Sequence, residues 1–162
     1  MSTSASHLFN SPMELGLRAL CLLVELYPQP QDLQRLVLLD YLLVHSADVD
    51  GGPPSIHAAT PQRGAEVLVR RAILEPGLAL FARRGLIVPS IDAAGFAYLA
   101  SDRGACFLDT LRSPYLLAIR DRGRWISERF GSLPTATIQG FVNDKLDRWG
   151  GQFTDTAAEG TS

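Results

Sequence analysis

Two pairs of adjacent arginines are the residues best suited to a specific interaction in this chain of 162 residues. Arg70 and Arg71 form the first pair, and Arg83 and Arg84 form the second. Guanidinium groups on a helical segment bind the phosphates of nucleic acid, and they bind the acidic surface of a protein equally well. The alternative is a solvated helix face balanced by nearby glutamates. The pattern predicts contacts to a DNA backbone or to a partner protein, and leaves that choice open.

A second basic segment follows later in the chain. Arg120 and Arg124 are its candidate contacts, with Tyr115 and Trp125 interleaved. Arginine together with tryptophan is typical of the centre of protein interfaces, as well as of nucleic-acid surfaces. For Trp125 itself, the alternative is packing in the core.

A further candidate contact is the loop 51–61, within the connection 46–62 that contains three prolines and two glycines. A connection of this length within a compact domain is typically functional or disordered. Its consecutive prolines and the embedded Ile56 favour an ordered loop that packs on the body of the protein. Within this loop we single out Pro53, Pro54 and His57 as candidate contacts.

No set of polar residues has the spacing of an established catalytic or metal site. His45, Asp48, Asp50 and His57 lie at a predicted helix end or in the loop, and their spacing matches no known set of metal ligands. The chain also lacks a GxSxG nucleophile motif, an HExxH zinc motif and a glycine-rich phosphate loop. We therefore expect a protein that is not an enzyme and that binds no metal and no cofactor.

The composition indicates one folded domain with differently charged parts. Hydrophobic residues make up 46% and charged residues 20% of the chain, which excludes an intrinsically disordered protein. The net charge of −2 conceals a basic middle, because residues 63–129 contain eleven arginines and seven acidic residues. A uniformly basic nucleic-acid binder is thereby excluded, and a polarised surface suited to docking is indicated.

The apolar stretches and the cysteines favour a cytoplasmic protein. Residues 1–6 are polar and lack the regions of a signal peptide. No stretch reaches the roughly 20 apolar residues of a membrane helix, so we expect no membrane contact. Cys21 and Cys106 lie in apolar patterns and are predicted to be buried free thiols.

Helical patterns with N-terminal caps begin the chain. The first helix is predicted over residues 12–27, with Ser11 as its cap. The second is predicted over residues 33–45, with Asp32 as its cap. This second helix is apolar on most sides, which indicates the central buried helix of the fold.

The middle of the chain combines a helical segment with a β-hairpin. Residues 63–87 are helical in pattern, and Pro76 followed by Gly77 permits either one bent helix or two helices. Residues 86–91 and 96–100 flank a turn signal, which is typical of a hairpin. Ser101 is predicted to cap a helix that ends at Leu111, and two further helices are predicted over residues 115–130 and 135–149.

Three helices, a hairpin and a further helix follow one another as in a winged helix-turn-helix. The predicted fold class is mainly α with a small β-hairpin: a winged helix-turn-helix-like core with extra N- and C-terminal helices. Residues 76–85 take the recognition-helix position and residues 92–95 the wing tip. In residues 76–85, the terminal arginine pair is the only part that could contact the edges of DNA bases. We therefore do not expect sequence-specific recognition of DNA. We predict a single domain over residues 9–153, between a disordered N-terminus (1–8) and a disordered tail (154–162).

Short motifs spread over residues 9–153 resemble a known family. They are Phe9-Asn10-Ser11-Pro12, Gly16-Leu17-Arg18, the run Leu33 to Tyr41, His45-Ser46, Gly51-Gly52-Pro53-Pro54-Ser55, Thr60-Pro61, Leu68-Val69-Arg70-Arg71, Arg112-Ser113-Pro114-Tyr115, Arg129-Phe130 and Arg148-Trp149-Gly150-Gly151. In number and order these motifs resemble the middle component (type 2) of the bacterial ABC-three component systems.

The resemblance implies a small accessory subunit encoded between an SMC-like ABC ATPase and an effector subunit, in a system that acts against phages and plasmids. Such a protein is an adaptor that couples the state of the ATPase to release of the effector, and both subunits are its partners. No catalytic residues are implied for this component. The alternative is a winged-helix DNA-binding protein or transcriptional regulator, with the arginine pairs in non-specific contact with DNA.

Overall fold

In a computed structural model of the protein, residues 10–57 and 63–158 are described, with the side chains of residues 10–57 and 65–147. The segment 1–8, predicted to be disordered, lies outside the described residues. In chain order the elements are α1 (Pro12–Leu26), α2 (Leu33–Val44), a short 3-10 helix (Ser46–Asp48), α3 (Arg63–Arg83), β1 (Ile87–Asp92), β2 (Gly95–Ala100), α4 (Asp102–Asp109), α5 (Pro114–Phe130) and α6 (Thr135–Ala158). The mainly α fold with a small β-hairpin is confirmed, and the winged-helix arrangement stays a prediction.

Side-chain caps begin four of the helices. The oxygen of each capping side chain accepts a hydrogen bond from the backbone N–H three residues later, which satisfies one of the donors that a helix start leaves unpaired. The pairs are Ser11 with Glu14 (3.2 Å), Asp32 with Arg35 (2.8 Å), Ser101 with Gly104 (3.0 Å) and Ser113 with Leu116 (3.3 Å). The predicted starts of α1, α2, α4 and α5 are thereby confirmed.

α2 is the central buried helix that the sequence predicts. Every residue from Arg35 to Ser46 is buried, and the helix contacts α1, α3, α5 and α6. Its apolar side chains pack with those of the surrounding helices into one core. Cys21 lies in this core as predicted, whereas Cys106 is exposed, because α4 turns a different face inward.

α1 and α3 cross at a pair of glycines. α3 is one continuous helix with Pro76 inside it, which settles the choice between one helix and two. A Cβ atom on Gly77 would lie 3.0 Å from the backbone nitrogen of Gly16 and closer still to the carbonyl oxygen of Pro12. A Cβ atom on Gly16 would lie 2.6 Å from the Phe81 ring. The two helices therefore meet through their backbones at this crossing.

The β-hairpin forms where the sequence predicts it. β1 and β2 pair antiparallel, with Ile91 opposite Phe96. Gly85, at φ +71°, ends α3 just before the hairpin, a conformation that glycine adopts without strain. Gln31 and Tyr98 exchange two backbone hydrogen bonds, of 3.0 and 2.9 Å. These bonds attach the hairpin to the connection between α1 and α2.

The last helix is longer than the sequence predicts. α6 begins at Thr135 and continues to Ala158, past the predicted end at Trp149. Gly150 and Gly151 lower the helix propensity there without ending the helix. The helix thus takes in residues 154–158 of the segment for which we predict a disordered tail, and residues 159–162 lie outside the described part.

The loop after α2 is ordered and packs on the body over its described part, residues 46–57, as predicted. The backbone N–H groups of Ile56 and His57 both donate to the carbonyl oxygen of Val44, at 3.0 and 3.2 Å. The Ile56 side chain packs against the core. The remaining residues of the loop, 58–62, lie outside the described residues.

Candidate functional site

A group of charged side chains lies in the interior, between α1, α2 and α3. Arg18 on α1 and Arg70 on α3 both bind the carboxylate of Asp40 on α2. Arg18 donates to both carboxylate oxygens, at 2.6 and 3.0 Å. All three side chains are at most 2% exposed. Because water is excluded here, these opposite charges interact strongly and each depends on its partner.

Two further groups extend this arrangement toward the end of α2. Oε1 of Glu66, one turn before Arg70 on α3, accepts a hydrogen bond from Arg70 at 2.6 Å and lies 3.0 Å from Nε2 of His45. His45 directly follows α2. We call the five residues the buried charge cluster: Arg18, Asp40, His45, Glu66 and Arg70. The cluster links three helices that lie far apart in the sequence.

Both carboxylates of the buried charge cluster stay ionised. Burial raises the pKa of Asp40, but the charges of Arg18 and Arg70 outweigh burial and hold that pKa below its usual range. Burial likewise raises the pKa of Glu66, yet the hydrogen bond with His45 and the charge of Arg70 bring it down to about 2. Glu14 on α1 adds a third carboxylate, 3.7 Å from Nη1 of Arg18. The arginine charges are thus matched by carboxylates, and the cluster fixes the three helices in one arrangement.

The structure separates the first predicted arginine pair. Arg70 is 2% exposed and its guanidinium binds Asp40 and Glu66, so it is not available for the surface contact that we predict, and that assignment is corrected. Arg71 lies on the outside of α3 and donates to Oε1 of Gln34 at 3.0 Å. Consecutive residues of a helix point about 100° apart, so an adjacent pair does not share one face.

The other predicted arginines reach the surface to different extents, and Arg120 is only 25% exposed. Arg83 and Arg84 are exposed at the end of α3, and neither makes a hydrogen bond or ion pair with another described residue. On α5, Arg120 lies 3.0 Å from the carboxylate of Asp109, and Arg124 is 57% exposed. Solvated ion pairs add little stability, so a partner can replace them at small cost. The contact roles of these four arginines stay predictions.

The predicted loop contacts are anchored to α5. The carbonyl oxygen of Pro54 accepts a hydrogen bond from Nη2 of Arg122 at 2.8 Å. Nε2 of His57 lies 3.2 Å from the hydroxyl oxygen of Tyr115. Pro53 is half-buried and Pro54 is exposed. The loop therefore presents a fixed surface, on which Pro54 is the most accessible of the three candidates.

Acidification is expected to destabilise the protein through His57. Burial lowers the pKa of this ring from 6.5 to about 4, so over that range the unfolded chain binds a proton that the folded protein excludes. Stability is complete above pH 6.5 and falls as the pH drops toward 4. The loss is about 1 to 2 kcal/mol, because the ring is partly exposed.

Urea denaturation of the wild-type protein and of His57→Gln, at about pH 7.5 and about pH 4.5, measures this effect. Glutamine keeps a polar group near Tyr115 but does not titrate, so the variant should lose most of the difference between the two pH values. An unchanged pH dependence in the variant would contradict the assignment to His57.

Four members of the buried charge cluster are absent from the predicted site residues: Arg18, Asp40, His45 and Glu66. For two of them the sequence contains a signal. Arg18 and Asp40 both stand inside apolar runs, where a charged residue is tolerated when it is paired. Glu66 carries no such signal, because charged and apolar residues alternate irregularly around it.

Two other kinds of site are absent from the described part of the chain. In this part of the protein no three or more histidine, cysteine or acidic side chains come together in a way that could hold a metal ion. None of the helices described here combines the length and the apolar character needed to cross a membrane.

Fold and cluster together define a small, mainly helical protein whose interior charges serve its own packing and whose candidate contacts lie on its outside. Residues 8–152 match the family model described as ABC-three component (ABC-3C) system Middle Component 2, and the chain belongs to this family. The resemblance of the short motifs is thereby confirmed. A middle component is one part of a multi-component ABC system, which is consistent with an accessory subunit that has partner subunits. No curated protein and no solved structure matches the chain.

Several of the motifs that carry the resemblance meet in the structure. Arg18, Asp40, His45 and Arg70 come from four separate motifs, and all four belong to the buried charge cluster. Four of the motifs thus meet where three helices pack around paired charges.

Proposed function

We propose that the protein is a non-enzymatic adaptor in the cytoplasm, which couples an SMC-like ABC ATPase to an effector subunit in defence against phages and plasmids. The family match over residues 8–152 is the observation that carries this proposal. The position between ATPase and effector follows from the resemblance of the sequence motifs.

The distribution of charge supports an adaptor. The buried charge cluster uses its charges in internal ion pairs, so they serve the fold. On the outside, Arg83 and Arg84 have no partner among the described residues. Exposed arginines of this kind receive acidic groups of another protein, because the planar guanidinium matches a carboxylate in two hydrogen bonds.

The hairpin favours a protein partner over DNA. Ile91 is 80% exposed, and Phe96 opposite it is 52% exposed. The turn between the strands, residues 92–95, contains no basic residue. A wing that binds DNA brings arginine or lysine to the phosphates, whereas exposed apolar side chains favour docking to a protein. The rival function, a winged-helix DNA-binding protein or transcriptional regulator, therefore depends on the arginines outside the wing.

Co-purification with the neighbouring ATPase and effector subunits tests the adaptor function. We expect the tagged protein to retain both subunits at moderate salt. Replacing Arg83 and Arg84 together by alanine should weaken at least one of these contacts by about tenfold. Arg129→Ala is the control. Like Arg83 and Arg84, Arg129 is an exposed arginine, but its guanidinium already stacks on a ring of this protein, that of Phe130. Failure of both subunits to co-purify with the wild-type protein would contradict the proposal.

Binding to duplex DNA distinguishes the rival function. Phosphate contacts weaken steeply as salt rises, so the measurement is made over a salt series with the isolated protein. The adaptor function predicts no tight binding at moderate salt. Tight binding that is lost in the Arg83→Ala/Arg84→Ala variant would favour the DNA-binding protein instead.

A further inference from the structure

An apolar groove lies where the start of α1 and the end of α3 meet α4 and the start of α5. Its volume is about 450 Å³, and apolar side chains from all four helices line it. Phe81 is buried at its floor, whereas Met13 is 65% exposed and Phe107 is 36% exposed. Apolar side chains that converge on one open groove and stay in contact with water mark a surface that another molecule covers.

Two arginines are the charged residues in the lining of this groove. Arg84 and Arg103 are both exposed, and neither makes a hydrogen bond or ion pair within the described part of the chain. A Cβ atom on Gly85 would lie 3.0 Å from Nη1 of Arg103. The Arg103 guanidinium therefore lies against Gly85, the residue that directly follows Arg84. Among the described residues, no acidic side chain lines the groove. The groove is therefore complementary to a molecule that is apolar along one face and negatively charged beside it.

Two walls of the groove carry side chains at helical spacing. Met13 and Leu17 stand four residues apart on α1, and Arg103 and Phe107 stand four residues apart on α4. Side chains four residues apart form a ridge along a helix surface, and the space between two such ridges accepts the ridge of a third helix. An amphipathic helix with apolar anchors at this spacing binds its partners in the same way.

We propose that this groove binds an acidic amphipathic helix of a partner subunit, whose apolar face packs against Met13, Leu17 and Phe107 and whose carboxylates pair with Arg84 and Arg103. The inference rests on the proposed adaptor function, since it assigns the helix to the ATPase or the effector subunit. Beyond that function, the inference says where on this chain the partner docks and what chemistry the docking segment has.

Binding of the purified ATPase and effector subunits to variants of the full chain tests the groove. Met13→Asp places a carboxylate on the apolar wall, and the pair Arg84→Glu/Arg103→Glu reverses the charge of the lining. Each should weaken the binding of one subunit by at least about tenfold. The side chains are exposed, so the variants should keep the wild-type melting temperature.

Matched controls place the same changes elsewhere. Leu68→Asp introduces a carboxylate at a leucine of α3 that is 74% exposed, and Arg129→Glu reverses an exposed arginine of α5. Neither Leu68 nor Arg129 lines the groove. Both controls should bind within about twofold of the wild-type protein, because surface changes outside an interface have small effects.

The outcomes separate the groove from the adaptor function. If the wild-type protein binds a subunit and the groove variants bind it equally well, the groove proposal is overturned and the adaptor stands. If the wild-type protein binds neither subunit, both are overturned. A fatty acid found on the purified protein by native mass spectrometry, and lost in Met13→Asp, would show a small-molecule site and would also overturn the groove proposal.

Discussion

Replacing Asp40 by asparagine is expected to lower the free energy of unfolding by about 3 to 5 kcal/mol, the usual cost of breaking a buried ion pair from one side. Asparagine has nearly the same size, so the change removes the charge and leaves the packing in place. Arg18 and Arg70 then remain in the interior, with Asp40 no longer a carboxylate between them. Urea denaturation at neutral pH, followed by circular dichroism, measures the loss.

Asp109→Asn is the control for this substitution. Asp109 pairs with Arg120 at 3.0 Å, but the Asp109 side chain is 69% exposed, so water replaces the lost partner. The control should lose no more than about 1 kcal/mol. Equal losses in the two variants would show that the buried charge cluster contributes no more than a surface pair, and would contradict its assigned role.

Gly77→Ala is expected to destabilise the protein by about 2 to 3 kcal/mol, although alanine is the better helix former. The added methyl group would collide with the carbonyl oxygen of Pro12 and crowd the backbone nitrogen of Gly16. Both atoms belong to the backbone of α1 and cannot turn aside as a side chain can. α1 must therefore move away from α3, which disturbs the core between the two helices.

Gly140→Ala provides the matched comparison in α6. Apart from its own stretch of helix, no described residue has an atom within 4 Å of the place a Cβ atom would take. The same substitution should therefore stabilise the protein there by about 0.5 to 1 kcal/mol, the difference in helix propensity. Thermal denaturation of both variants should show shifts of opposite sign. A neutral or stabilising Gly77→Ala would contradict the close crossing of α1 and α3.

The sequence predicts the local features of the fold well. Capping residues such as Ser11 and Asp32 act on the turn that follows them, and the hairpin depends on the residues at its own turn. Such signals need no knowledge of the rest of the chain. The same holds for α2, since a helix that is apolar on most sides has no other place than the core.

Features that depend on contacts between elements far apart in the sequence are harder to predict from the sequence. Pro76 and Gly77 read locally as a possible break, whereas in the fold they lie within one helix at its contact with α1. The apolar residues of α3 are not gathered on one side, since Leu68 is 74% exposed and Leu74 is buried. The sequence of α3 therefore does not show which of Arg70 and Arg71 faces inward, because that depends on the position of Asp40 in another helix.

The adaptor function is tested most directly by the association of the ATPase subunit with the effector subunit, measured by mass photometry with and without this protein. A chain that bridges the two predicts a complex of all three components when it is present, and little ATPase–effector complex when it is omitted. The Arg84→Glu/Arg103→Glu variant should form less of the three-component complex than Arg129→Glu. If the ATPase and the effector associate equally well without this protein, or if it joins neither of them, it does not act as their adaptor.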